Sequence, residues 1–227
     1  MDGAFAVAKP PAHRLRLLIL KTNPMPGPGD LRVEKAKLRQ EMRAMRDALA
    51  TPARATASGR LVLWLAEMLA DKRITGETFA VYAATGSEVD AERLAGVLRA
   101  AGLRTVYPRI VADTKVLDFC VVNDVSELEP GVLDILAPKP DAPAVDLDAI
   151  DVFVVPALAV AADGHRLGYG GGYYDATLAA APRATRVGAV YDVQILPGLP
   201  SGPGDAALDW IVATDRGAVR AQPGRQT

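Results

Sequence analysis

Residues 163–175 constrain the fold of this chain more than any other stretch, because they form a glycine-rich loop between a predicted strand and a predicted helix. The apolar run at 152–155 ends at Pro156 before the loop, and residues 176–181 are typical of a helix after it. Glycines in such a loop leave backbone N–H groups open, and the start of the helix adds a partial positive charge. We therefore expect an anion site here, with phosphate as the usual anion.

Two familiar phosphate-binding motifs do not fit this loop. It is not a Walker A sequence, because no Gly-Lys-Ser/Thr follows, and it is not the dinucleotide fingerprint, because its third glycine comes too early and Tyr173 occupies the expected place. The pattern that remains is R-L-G-Y-G-G-G-Y-Y-D over residues 166–175. From the residues alone, a glycine-rich turn with two core tyrosines remains an alternative.

Composition limits the size and class of the protein. The chain has 227 residues, half of them hydrophobic, which suffices for one good-sized domain or two small ones. A net charge of −1 argues against a general nucleic-acid-binding protein, and the apolar run at 17–20 is far too short to span a membrane. The single cysteine, Cys120, excludes an internal disulfide and suits a reducing compartment, while His13 and His165 lack zinc-site spacing.

The pattern along the chain predicts one folded domain with two flanking segments. Residues 1–29 contain a Pro- and Gly-rich linker composition and are predicted to be a mobile N-terminal extension. Residues 216–227 are predicted to be a flexible C-terminal tail. Between them, at 30–215, short apolar runs alternate with helical patterns. This alternation predicts a single three-layer α/β domain with a mainly parallel sheet and helices on both faces.

The first predicted helix, at 31–50, carries two neighbouring stripes at helical spacing. The apolar stripe consists of Leu38, Met42, Met45 and Leu49. The basic stripe consists of Lys35, Arg39, Arg43 and Arg46. At about 100° per residue the basic stripe lies at the edge of the buried face, where it could reach a ligand or form an ordinary solvated surface.

Further elements follow from local signals. Thr51 is predicted as an N-cap with Pro52 at the first helical position, and Gly102 as the end of a helix that begins after Asp90. Strands are predicted at 79–84, 103–107, 117–122, 186–191 and 208–212. Pro108 is expected to stop the second of these, and residues 126–140 are expected to be an irregular surface excursion.

The glycine loop resembles that of the 5-formyltetrahydrofolate cyclo-ligase family, in which a strand and a proline precede an R-L-G-x-G-x-G-Y-Y-D run. Lys35-Ala36-Lys37-Leu38-Arg39 is similar to the K-x-x-L-R helix that opens the family, and Glu88-Val89-Asp90 matches its E-x-[DE] element. The resemblance covers nearly all of the predicted domain and is densest at 152–175. One departure is Gly171, since some members have lysine there.

This resemblance implies an enzyme that converts 5-formyltetrahydrofolate, and potentially its polyglutamates, to 5,10-methenyltetrahydrofolate. ATP would phosphorylate the formyl oxygen, N10 would attack the activated carbon, and ADP and phosphate would be released, with Mg²⁺ required. It also implies a cytoplasmic protein with no nucleic-acid or membrane partner. Two alternatives stay open: a non-catalytic folate- or nucleotide-binding protein, and an ATP-dependent enzyme acting on a different substrate.

Site residues are carried over from the resemblance. Catalytic roles are implied for Lys35, Arg39 and Arg166. ATP contacts are implied for Lys35, Ala36, Lys37, Leu38, Arg39, Arg166, Leu167, Gly168, Tyr169, Gly170, Gly171, Gly172, Tyr173 and Tyr174. Folate contacts are implied for Arg39, Glu88, Tyr169, Gly170, Gly171, Gly172 and Tyr173. Metal binding is implied for Asp175 and Asp205, whose simpler roles would be helix-dipole compensation and an exposed turn.

Overall fold

The computed structural model describes residues 28–222, apart from the side chains of residues 28–30 and 133. Most of the predicted N-terminal extension and the last five residues of the predicted tail lie outside the described residues. Within residues 28–222, no helix combines the length and the apolar character needed to cross a lipid bilayer.

Helices and strands alternate along the described chain. The α-helices are α1 (Pro28–Asp47), α2 (Thr51–Ala70), α3 (Glu92–Ala100) and α4 (Tyr173–Ala180). The strands are β1 (Thr78–Ala80), β2 (Arg104–Arg109), β3 (Asp118–Val121), β4 (Glu129–Pro130), β5 (Leu136–Ala137), β6 (Ala144–Val145), β7 (Val152–Val155), β8 (Ala159–Ala161), β9 (Arg166–Leu167), β10 (Thr185–Val190), β11 (Ile195–Leu196), β12 (Trp210–Ala213) and β13 (Gly217–Arg220). Short 3-10 helices lie at Val125–Glu127, Val132–Asp134, Leu147–Ala149 and Asp192–Gln194.

The main sheet has eight strands in the order β13-β12-β10-β7-β1-β2-β3-β6. Its five central strands, from β12 to β2, are mutually parallel, whereas β13, β3 and β6 pair antiparallel at the edges. This confirms the predicted mainly parallel sheet. The chain passes from β1 to β2 on one side and later returns to β7 on the other, so a topological switch point lies between β1 and β7. Ligands of open α/β sheets bind outside the carboxyl ends of strands at such a point.

Apolar residues that alternate along the central strands fill both sides of this sheet, which confirms the three layers. One face of the sheet, with Val152 and Val154, packs against α2 and α3. The opposite face, with Phe153 and Val155, packs against Leu178 of α4. Helix α1 lies elsewhere, on the small β11-β8-β9 sheet. The basic stripe of α1 is thereby brought to the edge of the main sheet.

Three local predictions differ from the structure. Pro108 does not stop its strand, because β2 continues to Arg109 and Pro108 lies opposite Phe119 on β3. Helix α2 begins at Thr51 itself, with Ala50 as its N-cap and no side-chain capping bond. The strand predicted at 79–84 ends at Ala80, and the following residues curve into the loop that approaches the glycine loop.

The predicted flexible tail is wrong for residues 217–220, which form the edge strand β13 in an antiparallel pair with β12. Backbone bonds extend this order beyond the strand, since Ala221 N–H donates to Asp209 O and Gln222 N–H donates to Ala162 O. The sequence signal for this strand is weak, because the segment has only four residues, and two of them, Gly217 and Ala218, have little or no side chain to show strand periodicity. Their order comes from pairing with a strand that precedes them closely in the chain.

Residues 126–140, predicted as an irregular surface excursion, contain a small hairpin. Strands β4 and β5 pair antiparallel, and a 3-10 turn joins them. Arg109 anchors the segment that follows, donating from Nη1 to the carbonyl oxygens of Pro140 (2.9 Å) and Ala142 (3.0 Å). The hairpin therefore has a fixed place beside β2, which matters for the cavity that it borders.

Candidate active site

A cavity of about 1220 Å³ lies at the carboxyl ends of β1, β7 and β2, at the switch point of the sheet. Its walls come from α1, the loop after β1, the β2–β3 loop, the β4–β5 hairpin and the glycine loop. Most of the residues singled out from the sequence line this one space: Lys35, Arg39, Glu88, Arg166, Leu167, Gly168, Tyr169, Gly170, Gly171, Gly172, Tyr173, Tyr174, Asp175 and Asp205.

The glycine loop adopts backbone angles that favour glycine at two positions. Gly170 has φ of 101°, and Gly172 has φ of 75° and forms the N-cap of α4. A Cβ atom at Gly170 would also lie 3.2 Å from Arg39 Cζ. The positive φ therefore favours glycine at position 170, and a side chain there would also make Arg39 shift.

Position 171 has a different constraint. A Cβ atom at Gly171 would lie 2.8 Å from Cδ2 of Tyr173, so the tyrosine ring occupies the space that a longer side chain would need. A cation is nevertheless close, because Lys115 Nζ on the β2–β3 loop lies 4.5 Å from the centroid of the same ring.

Two cations of α1 already contact groups of the site. Lys35 Nζ donates to Asp205 Oδ2 at 2.6 Å, and Arg39 Nε donates to the carbonyl oxygen of Gly168 at 2.9 Å. Asp205 also accepts from the backbone N–H of Gly202 at 2.8 Å, which fixes its carboxylate. The basic stripe is thus neither fully solvated nor purely structural: it meets the glycine loop and the loop that carries Asp205.

Arg166 and Asp175 form a second ion pair, with Nη2 and Oδ1 2.8 Å apart. The arginine side chain is only 4% exposed, and burial lowers the pKa of its guanidinium while the Asp175 charge opposes that shift. Its Nε is buried and has no partner among the described residues. Asp175 Oδ1 also accepts from the N–H of Ala206 at 3.2 Å, so the two predicted metal ligands lie on segments that touch.

The donor set fits Mg²⁺ shared with a polyphosphate better than a metal held by protein alone. Among the described residues, no group of three or more His, Cys, Asp or Glu side chains could hold an ion. Mg²⁺ typically takes one or two carboxylates and fills its other positions with phosphate oxygens and water. Asp175 and Asp205 could supply that number, and the cations that now pair with them are suitable phosphate partners.

Glu88 is held by both carboxylate oxygens. Oε2 accepts from the Thr85 N–H at 2.8 Å, and Oε1 accepts from the Tyr169 hydroxyl. Burial, followed by the Glu88 charge, raises the pKa of Tyr169 above its usual value. The tyrosine therefore remains a hydrogen-bond donor to the carboxylate. This bond joins the loop after β1 to the glycine loop.

Tyr174 places a hydroxyl oxygen in the buried part of the site with no partner among the described residues. Burial is the main cause that raises the pKa of this phenol, and the Glu88 charge adds to it. The Tyr173 and Tyr174 rings also pack against the apolar cluster under the sheet, so the core role that stayed open from the sequence is combined with a place in the cavity wall.

Three residues predicted to contact ATP do not line the cavity. Ala36 and Lys37 are exposed, and Lys37 pairs with Glu41 one turn along the helix. Leu38 packs on the small sheet. The reason is helical geometry, because residues between Lys35 and Arg39 project at other angles from the axis than the two cations.

Other cavity residues were not predicted to have a role in the site. Arg46 was noticed only as part of the basic stripe, yet it is 4% exposed and contacts both loops described above. The hairpin supplies an apolar wall through Pro130, Ile135 and Pro138. The stripe was a usable signal for Arg46, whereas the proline-rich hairpin gave none.

Comparisons with known proteins identify a family that the chain matches over most of its length. Residues 32–214 match the model of the 5-formyltetrahydrofolate cyclo-ligase family. A 5-formyltetrahydrofolate cyclo-ligase of Mycolicibacterium smegmatis is 31% identical over 192 residues, which cover 82% of this chain and 96% of that protein. The corresponding protein of Escherichia coli K12 is 32% identical over 147 residues, covering 63% of this chain and 81% of its own length.

Solved structures show the same likeness. The NMR structure of Aquifex aeolicus 5,10-methenyltetrahydrofolate synthetase aligns with a TM-score of 0.71 at 25% identity, covering 85% of this chain and 95% of that one. The 5,10-methenyltetrahydrofolate synthetase of Mycoplasma pneumoniae aligns with a TM-score of 0.64 at 25% identity, covering 78% and 97%. The likeness therefore extends over nearly the whole length of both structures.

Proposed function

The chain belongs to the 5-formyltetrahydrofolate cyclo-ligase family, and from this premise we propose that it closes the ring of 5-formyltetrahydrofolate in an ATP- and Mg²⁺-dependent reaction. The products are 5,10-methenyltetrahydrofolate, ADP and phosphate. The family match spans 32–214, and we take the predicted domain at 30–215 together with the edge strand β13 as the catalytic domain.

One observation carries the proposal: a single cavity combines a glycine loop at a helix N-terminus, several cations and a carboxylate on the opposite loop. The cations include Lys35, Arg39 and Arg166, and the carboxylate on the opposite loop is Glu88. Phosphoryl transfer requires positioning and charge neutralisation rather than a protein nucleophile. A pterin ring presents neighbouring N–H groups that a carboxylate can accept together. The cavity offers both kinds of recognition side by side.

In this mechanism the backbone of residues 168–172 and the start of α4 orient the phosphates, and Arg39 lies against the same loop. ATP supplies the phosphoryl group that converts the formyl oxygen into a leaving group. N10 of the folate then forms the new C–N bond to the formyl carbon and releases its proton to solvent, and the C–O bond breaks as phosphate departs with that oxygen. Lys35 and Arg166 are placed to offset the negative charge on the phosphoryl oxygens.

Asp175 and Asp205 would hold Mg²⁺, which neutralises charge on the phosphate oxygens when it is bound. Lys35 pairs with Asp205 in the structure. With Mg²⁺ on Asp205, the lysine would instead donate to a phosphate oxygen. Arg166 can keep its bond to Asp175, because Nη2 makes that contact and Nε remains free of protein partners among the described residues.

The test is an absorbance assay for 5,10-methenyltetrahydrofolate made from 5-formyltetrahydrofolate by the purified chain. Product should form only when ATP and Mg²⁺ are both present, with one ADP released per ring closed. The assay is repeated with the triglutamate form of the folate, which asks whether polyglutamates are substrates. A well-folded preparation that binds the folate but never consumes ATP would support a binding protein and contradict this proposal.

A further inference from the structure

Arg46 is a buried cation at the base of the cavity, in the last turn of α1. Its Nε donates to Ser87 Oγ at 2.9 Å and its Nη1 donates to Tyr169 Oη at 2.6 Å. Nη1 also lies 3.8 Å from Oε1 of Glu88. A buried guanidinium is costly unless such partners satisfy it, and here the partners come from two loops that are distant in sequence.

Of the two cavity side chains near Arg46, Glu88 is also held by the Thr85 N–H within its own loop, whereas Tyr169 depends more on its contacts with α1 and Glu88. Tyr169 lies between Gly168 and Gly170, and the residue is 42% exposed. Its hydroxyl bonds, among the described residues, are those with Arg46 and Glu88. The direction in which Tyr169 points is therefore set largely by these two groups.

The contacts extend to the loop after β1. The Ser87 hydroxyl accepts from Arg46 and donates to Asp47, the last residue of α1. Ser87, Glu88 and Tyr169 all line the cavity. Arg46 consequently connects α1 to both loops next to Glu88, the carboxylate that we propose binds the folate.

We propose that Arg46 is a positioning residue: it fixes Glu88 and Tyr169 in the arrangement that receives the folate, and through Tyr169 it ties the folate side of the cavity to the glycine loop. This rests on the proposed function for the identity of the ligand. The role goes beyond packing, because the residues that Arg46 orients face the cavity rather than the core.

The experiment compares Arg46→Met, Arg46→Lys, Tyr169→Phe and the double variant Arg46→Met/Tyr169→Phe. For each, the Kd of 5-formyltetrahydrofolate is measured by calorimetry, KM and kcat by the absorbance assay, and Tm by circular dichroism. Arg46→Met should raise the folate Kd and KM by about tenfold or more, as expected for loss of charge-assisted bonds, with a smaller change in the KM for ATP. Arg46→Lys should recover part of the affinity, because it restores one charged donor but not the fork.

The double variant is the sharpest readout. Arg46 acts on the folate partly through the Tyr169 hydroxyl, so the two substitutions remove part of the same interaction. The factor by which Arg46→Met/Tyr169→Phe raises the folate Kd should therefore be smaller than the product of the factors for the two single variants. The matched control is Arg99→Met, which removes another arginine paired with a glutamate (Glu92, 2.6 Å) outside the cavity lining. Arg99→Met should lower Tm and leave the folate Kd at the parent value.

A folded Arg46→Met variant with a folate Kd within twofold of the parent would overturn the inference and leave the ring-closing activity standing. If Arg46→Met does not fold, Arg46→Lys and Tyr169→Phe decide: unchanged folate Kd in both overturns the inference, and a raised Kd in both supports it. A parent chain that binds no 5-formyltetrahydrofolate overturns the inference together with the proposed function. A parent that binds the folate without turnover overturns the proposed activity alone, since the Kd comparison still applies.

Discussion

Lys35 Nζ and Asp205 Oδ2 lie 2.6 Å apart although 170 positions separate them in the chain. The lysine is a candidate phosphate contact and the aspartate is a candidate metal ligand. Their pairing places opposite charges at the point where the first helix meets the loop at 201–205. A phosphate with a bound cation also offers one negative and one positive partner, so the lysine could take a phosphate oxygen while the aspartate takes the cation.

This pair leads to a prediction for Asp205→Asn. The side chains of Lys35 and Asp205 are 15% and 23% exposed, so solvent screens this pair only in part, and we expect Asp205→Asn to lower Tm by less than the loss of a fully buried pair would. If Asp205 holds the metal, the Mg²⁺ concentration for half-maximal activity should rise, while metal-free folate binding stays close to the parent value. A Mg²⁺ titration that superimposes on the parent removes Asp205 from the metal site.

Asp175→Asn should behave differently, because its partner Arg166 is almost fully buried. Loss of the carboxylate charge leaves that guanidinium poorly compensated, and we expect a loss of about 1.5–3 kcal/mol in the free energy of unfolding. The Mg²⁺ requirement should rise as well. Urea unfolding and a Mg²⁺ titration measure the two effects. The control is Asp148→Asn, whose pair with Arg183 is exposed; equal stability losses in both variants would contradict the argument.

Gly170→Val should damage ATP binding far more than folding. The left-handed backbone costs a residue with a side chain about 1–2 kcal/mol, and the new Cβ would press on Arg39 and block access to the open N–H groups. Calorimetry with ATP checks this against Gly198→Val, since Gly198 has no atom within 4 Å of an added Cβ and no left-handed φ. Unchanged nucleotide affinity in Gly170→Val would mean that the loop is only a turn.

How far the sequence could predict this site depends on the range of the interactions involved. The strand Val152–Val155 and the helix after the glycine loop follow from neighbouring residues, and both were predicted. The contribution of the β4–β5 hairpin to the cavity wall was missed, because Arg109 holds the segment after the hairpin from about thirty positions away in the chain. A contact between residues so far apart in the chain leaves no periodic pattern in the local sequence.

Arg46 illustrates the same limit within the site. The sequence identified it as one cation of a stripe, and its helix was predicted correctly. Its partners Ser87 and Tyr169 lie 41 and 123 positions further along the chain, so only the fold could show that the three meet. The pairing of Lys35 with Asp205 was hidden for the same reason, although both residues were named as site residues.

Arg39→Ala should weaken ATP binding by about tenfold or more, with little loss of stability. Its side chain lies against the glycine loop, through Nε to the Gly168 carbonyl and next to Gly170, where the guanidinium would meet a phosphate. A charge-assisted bond to that phosphate is worth about 1.5–3 kcal/mol. The control is Lys37→Ala on the same helix, which removes an exposed cation outside the cavity. Nucleotide affinity and Tm are measured for both. A fall in Tm with parent-like kinetics would show that Arg39 is structural.

The last prediction concerns Tyr174, whose hydroxyl is buried without a partner among the described residues. Tyr174→Phe removes an unsatisfied polar atom, so the ligand-free protein should be as stable as the parent or more stable. Tyr82→Phe provides the contrast, because its equally buried hydroxyl donates to Val89 O at 3.1 Å. Loss of that bond should cost about 1–3 kcal/mol at neutral pH.

The pH dependence of the free energy of unfolding distinguishes an effect of the buried Tyr174 hydroxyl from a general effect of packing. Burial raises the pKa of Tyr174 in the folded state, so the unfolded chain loses this proton first as the pH rises above about 10. Below that pH both states keep the proton, and the free energy of unfolding does not depend on this group. Above it the unfolded state binds fewer protons than the folded state, so the free energy of unfolding falls as the pH rises. Urea unfolding at pH 8 and at about pH 10.5 should therefore show a smaller loss of stability for Tyr174→Phe than for the parent. Equal losses in the two proteins would mean that the phenol of Tyr174 ionises as freely in the folded protein as in the unfolded chain.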